Sequence, residues 1–126
     1  YLEKDNYMKK PTYITAMVDF KINDLAGVKN VISEWCIAEK ASQGTLMYEF
    51  YFSEDNTHGT VIETFADDDG QQAHMDNIEK FGPSFTKYAE FTNFLYLGDV
   101  SDVVKERLKD YPFIYMPFHD GFRRLP

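Results

Sequence analysis

The chain has 126 residues, 44% of them hydrophobic and 17% aromatic, far from a disordered profile, and no apolar run approaches the roughly 18 residues that a helix needs to cross a bilayer, so a soluble chain is expected. That length suits one domain with one core, needing neither metals nor disulfides. With 13 basic and 21 acidic residues the net charge is −8, which repels nucleic-acid phosphates and anionic lipid and argues against both as partners.

Residues 1–11, "YLEKDNYMKKP", read as a polar N-terminal tail without the apolar centre of a secretory signal. Met8 is the expected natural start, with residues 1–7 as added or upstream sequence. A lone cysteine, Cys36, suits a reducing compartment, so the expected location is cytoplasmic. No histidine is near it in sequence, and it reads as a packed helix residue rather than a nucleophile.

In "TYITAMVDF", residues 12–20, Ile14, Ala16, Val18 and Phe20 alternate with Tyr13, Thr15, Met17 and Asp19, the pattern of a half-buried strand. Asn23 and Asp24 supply capping oxygens. Leu25, Val28, Ile32 and Trp35 then recur at helical spacing, which predicts an amphipathic helix over 24–41. Gly44 ends that segment. "TLMYEFYFS", residues 45–53, predicts a second strand with Leu46, Tyr48, Phe50 and Phe52 on one face and Met47, Glu49 and Tyr51 on the other. "EDNTHG" is a hairpin loop that leaves His58 exposed.

In "TVIETFADDDGQQAH", Val61, Glu63 and Phe65 share one strand face, and Asp67 to Asp69 cap a following helix before they could serve a metal. On that helix His74, Ile78 and Phe81 fall at i, i+4 and i+7, so His74 faces inward. Pro83 is expected to open a separate short helix, "PSFTKYAE". "FTNFLYL", residues 91–97, is a fourth strand, and "SDVVKERLKD" a helix capped by Ser101. The tail "YPFIYMPFHDGFRRLP" is strand-like in composition, but Pro112 and Pro117 cannot donate to a ladder, so residues 111–118 are placed as an edge segment closing the barrel of this subunit or its neighbour.

The predicted order is the split β-α-β-β-α-β pattern of an α+β, ferredoxin-like antiparallel sheet over residues 12–98, followed by a C-terminal helix and tail over 99–126. Helices on one face leave the other to be covered. That second face holds Tyr13, Met17, Met47, Tyr51, Val61 and Phe65, or the opposite set. Either is too apolar for open water, so a second subunit or an enclosed pocket is expected.

"ASQGTLMYEFYFSED" and "ETFADDDGQQAHMDN" resemble the antibiotic biosynthesis monooxygenases: a glycine before a tyrosine-glutamate strand, then glutamate, x, aromatic, an acidic turn and a helix with histidine. The resemblance implies a dimeric ferredoxin-like α+β barrel, here a homodimer. It also implies oxidation of a small aromatic or quinol molecule by molecular oxygen, with no flavin, metal or other cofactor. By motif, Tyr48, Glu63 and His74 are the catalytic candidates and Phe65 would stack on the substrate ring, joined as substrate-binding residues by Tyr13, Met47 and Tyr51. The family's usual tryptophan is Phe65 here, which argues against the haem-degrading relatives.

Each candidate also has a plain structural reading: His74 as a hydrogen-bonded core residue, Tyr48 as packing, Glu63 as half of an ion pair. A non-catalytic ligand-binding or stress-related dimer is the alternative function. Isomerisation of a phosphorylated or hydroxylated metabolite is a third, with Lys87, Arg123 and Arg124 the only candidate anion ligands.

Overall fold

The computed structural model describes residues 13–124. The readings of residues 1–11 and of a start at Met8 lie outside the described residues.

The alternation of "ITAMVDF" becomes β1 (Ile14–Ile22), the strand between β3 (His58–Phe65) and β4 (Ala89–Leu97), both antiparallel to it. β2 (Thr45–Phe52) pairs antiparallel outside β3, and β5 (Ile114–Met116) adds in parallel outside β4, giving the order β2-β3-β1-β4-β5. The first four strands are the expected ferredoxin-like antiparallel sheet. The parallel fifth makes it mixed.

Two helices cross over one face. α1 (Leu25–Ala41) starts at Asp24, whose carboxylate accepts the Gly27 N–H, and α2 (Asp68–Phe85) starts at Asp67, which accepts from Gly70. Such caps satisfy amide protons that the first turn leaves without a partner. The short α3 (Asp102–Arg107) is capped by Ser101.

The residues of β1 that face the helices (Ile14, Ala16, Val18 and Phe20) are buried, and Val61, Glu63 and Phe65 of β3 share their face by register. Val61 and Phe65 therefore do not belong with Tyr13, Met17, Met47 and Tyr51, which lie on the outer face. The mixed set arose because the pairing of strands, which the sequence does not print, decides which alternate residues fall together. On the helix side two apolar clusters form, one around Phe20, Val28, Trp35 and Phe85, the other around Ile14, Phe65, Tyr96, Val104 and Leu108.

Three local expectations change. Leu46 does not join Tyr48 and Phe50: the register jumps between Thr45 and Met47, so Leu46 is an unpaired bulge residue, 52% exposed. α2 runs through Pro83 to Phe85 rather than restarting there. In a last turn the missing N–H frees only the carbonyl of exposed Glu79, which water can satisfy. On α1 the buried stripe is Val28, Val31, Trp35 and Glu39, with Leu25 and Ile32 half-buried.

Gly44 and Gly70 fix where α2 begins. A Cβ on Gly44 would lie 2.5 Å from the Gly70 Cα, and one on Gly70 would lie 2.7 Å from the Gly44 carbonyl oxygen. Only two glycines let this turn rest on the first turn of α2, one helical turn ahead of His74.

Candidate functional site

A cavity of about 340 Å³ opens between the sheet's inner face and the helices, lined by members of both apolar clusters. Val18, Val61 and Phe50 form its floor, Trp35 and Ile78 are helix walls, and Leu108, Tyr111 and Phe113 of the C-terminal extension complete it. Its polar lining includes Tyr48, Glu63 and His74. Among the described residues no lysine or arginine lines it.

Strand register brings Tyr48 and Glu63 together, because Tyr48 on β2 pairs with Glu63 on β3. Ala16 and then Tyr96 continue the same row across β1 and β4. α2 lays His74 over this row, 1% exposed, with its ring 4.8 Å from Phe65 and 5.9 Å from Tyr48. The imidazole faces a carboxyl group at each nitrogen and is hydrogen-bonded at Nδ1. Nδ1 is 2.6 Å from Glu39 Oε2, and Nε2 is 3.5 Å from Glu63 Oε1.

Glu39 is absent from the sequence motifs, yet it is 1% exposed and accepts from more than His74. Trp35 Nε1 (3.1 Å) and Asn77 Nδ2 (3.0 Å) reach the same Oε2, and Thr45 Oγ1 (3.1 Å) reaches Oε1. A sequence signal for it existed: Glu39 is four residues beyond Trp35, so the helical period places a carboxylate on the buried stripe. Asn77, one turn beyond His74, follows by the same spacing.

The electrostatics follow from burial. Desolvation raises the Glu63 pKa; His74 partly offsets this and Glu39 adds to it, leaving Glu63 at about 7. For His74, burial opposes the imidazolium, but Glu63 and the bonded Glu39 outweigh it and raise the pKa above its ordinary value. Burial, reinforced by Glu63 and Glu39, pushes the Tyr48 phenol well up, so near neutral pH it is a donor. Among the described residues Tyr48 Oη has no hydrogen-bond partner, and neither does the buried Tyr96 Oη. Near neutrality the cavity therefore presents the Tyr48 O–H as a donor and a Glu63 carboxyl close to half protonation, beside an imidazole whose Nε2 accepts a proton once the ring is neutral. A buried neutral carboxyl and a phenol are a pair suited to holding an oxyanion.

Of the residues expected at a site, the structure gathers Tyr48, Glu63 and His74 around one cavity. Phe65, fully buried, packs its ring at a tilt against His74 and supports it from outside the cavity lining. Tyr13, Met47 and Tyr51 lie on the opposite sheet face and do not line this cavity; Tyr13 and Tyr51 are exposed. Cys36 has its thiol pKa raised, by burial and then by Glu39, the reverse of an activated nucleophile. Lys87 is exposed, and Arg123 and Arg124 rest over the Tyr13 and Phe122 rings, so none of the three reaches the cavity.

No family model matches the chain, and no curated protein matches it. Solved structures do. MupZ from Pseudomonas fluorescens superposes with a TM-score of 0.83 at 21% identity, covering 92% of each chain. SnoaB, a cofactor-independent oxygenase from Streptomyces nogalater, gives 0.61 at 10% identity over 73% of this chain and 97% of its own. A Caulobacter crescentus protein assigned provisionally as an antibiotic biosynthesis monooxygenase gives 0.60 at 19%, over 80% and 100%. Residues 1–98 make up about 78% of the 126 here, so the 92% shared with MupZ must include part of the C-terminal extension. The chain has the ferredoxin-like α+β fold of the antibiotic biosynthesis monooxygenases.

Proposed function

We propose that the chain is an enzyme that removes a proton from a small, uncharged aromatic or quinol substrate and exposes the resulting anion to molecular oxygen, with no cofactor. The observation that supports this best is the buried imidazole between two glutamate carboxyl groups, facing an apolar cavity beside a tyrosine hydroxyl that has no partner among the described residues. In this reading His74 Nε2 takes the substrate hydroxyl proton, while the Glu63 carboxyl and Tyr48 Oη donate to the oxyanion. The apolar walls strip water from that anion, which favours electron transfer to oxygen. The SnoaB likeness supports the oxygen step, as that protein is a cofactor-independent oxygenase on the same fold.

Charge argues for the substrate class. A phosphorylated or carboxylated metabolite would meet no lysine or arginine among the described residues that line the cavity, whereas a neutral phenol brings no charge until its proton moves.

The test is oxygen uptake across a panel of hydroquinones. Turnover is expected with at least one of them, and His74→Ala should lower it by about a hundredfold or more, the usual worth of a positioned base. Turnover that is unchanged in His74→Ala would remove the assignment.

A second reading has a specific observation in its favour. Glu63, at about 7, can give a proton as readily as take one, so the same site could move a proton between two positions of a ligand without oxygen. Conversion of ligand under strict anaerobiosis would favour this rearrangement chemistry. A ligand that binds and stays unchanged with and without oxygen would favour a binding protein.

The outer sheet face bears on assembly. Met17, Leu95, Ile114 and Met116, with Asp19, Thr92 and Asn93 beside them, line a depression there, and no helix covers it among the described residues. We propose that a second copy of the chain covers it, giving the homodimer that the resemblance implies.

A further inference from the structure

We propose that Glu39, outside the cavity, is a positioning residue that keeps a proton on His74 Nδ1 and so leaves Nε2 as the only ring nitrogen that exchanges protons with the ligand. The proposal rests on the reading of His74 as the base and adds to it the group that sets its tautomer.

Hydrogen-bond accounting carries the proposal. Trp35 Nε1 and Asn77 Nδ2 can only donate, and both point at Glu39 Oε2. An oxygen that accepts from both is not the protonated oxygen of a carboxylic acid. Oε1 bonds Thr45 Oγ1, a hydroxyl that can give or take a proton, so Oε2 is the acceptor toward His74 in either case. His74 Nδ1, 2.6 Å from Oε2, can then meet it only as a donor. Nε2 is left to accept when the ring is neutral.

Among the described residues no other group can take over this task. From α1, Trp35 and Cys36 face Glu39; from β2, Thr45 and Tyr48; from β3, Glu63; from α2, His74 and Asn77. Only Glu63 among them could offer a second carboxylate, and it addresses Nε2 instead. The two carboxylates therefore have different duties on one imidazole. Glu39 fixes orientation and, by its hydrogen bond and charge, raises the His74 pKa, while Glu63 shares a proton with the substrate side.

The experiment is nitrogen-15 NMR of His74 in ligand-free protein, with pH titration of wild type and Glu39→Gln. In the wild type, neutral His74 should carry its proton on Nδ1. Glu39→Gln can keep that bond through its amide oxygen, with its amide nitrogen toward Thr45 Oγ1, yet lose the charge. Its His74 midpoint should fall by about one pH unit or more, the usual effect of removing an adjacent opposite charge. A wild-type Nε2–H tautomer, or a midpoint unmoved in a folded Glu39→Gln, would overturn the proposal. Should the variant not fold, the wild-type tautomer alone decides. Because no ligand is present, the outcome is separate from that of the oxygen-uptake test: Glu39 could set the tautomer of a histidine that turns nothing over.

Discussion

At the scale of single residues, Glu63 and His74 tie stability to pH. Glu63 has its pKa raised from 4.5 to about 7 in the folded chain, and that of His74 is raised above 6.5. Both groups bind protons more tightly folded than unfolded. Their contribution is therefore complete at acid pH and is lost as pH rises, across 4.5 to about 7 for Glu63 and then through the raised His74 value. Urea unfolding of the wild type should show this fall, on the order of 3 kcal/mol for the Glu63 part. Glu63→Gln, which cannot ionise, should remove most of the slope over that window, and an equal slope in both proteins would contradict the burial argument. At this scale sequence legibility was uneven. Tyr48, Glu63 and His74 stood in short motifs, whereas Glu39 announced itself only as a charge on an otherwise apolar helix stripe. Its partners Thr45 and Asn77 lie on separate elements, and such a convergence is a property of packing.

Among the elements, the placement of α2 decides whether the site exists. Gly70→Ala would drive a Cβ to 2.7 Å from the Gly44 carbonyl oxygen, so the helix start must move away from β2. The expected cost is about 1–3 kcal/mol, as for other overpacked contacts. NMR of the variant should also show His74 in a changed environment. The C-terminal extension is the second element on which the cavity depends. β5 pairs with β4, Tyr115 stacks on Tyr96 at 6.0 Å, and Phe113 lies 5.1 Å from Phe94. Truncation after Asp110 should lower the melting temperature and weaken binding of any phenolic ligand, since Tyr111 and Phe113 are cavity walls. An unchanged melting curve with unchanged affinity would make the extension an appendage. Most strands and helices were legible from period and caps. The Leu46 bulge and the passage of α2 through Pro83 were not, because a bulge depends on the partner strand and a proline in a last turn costs too little to stop a helix.

For the whole molecule, the order of elements in the sequence was enough to give the ferredoxin-like topology, since few arrangements of that order bury both helices on one sheet. Which face holds the pocket was not readable, because alternation distinguishes two faces without naming them. The structure puts the cavity under the helices and leaves the outer face to the proposed partner copy. Replacing Met17 and Leu95 together by lysine should yield a monomer in sedimentation equilibrium, with the fold kept; a wild type that is already monomeric at micromolar concentration would refute the dimer. The central claim is that the cavity takes a proton from a neutral phenol. Titration with a nitrophenol whose anion absorbs in the visible tests it most directly. The wild type should bind the dye as its anion at a pH below the dye's own pKa, and His74→Ala should bind it uncharged or not at all. A bound dye that stays neutral in the wild type, or an identical bound spectrum in both proteins, would contradict the account.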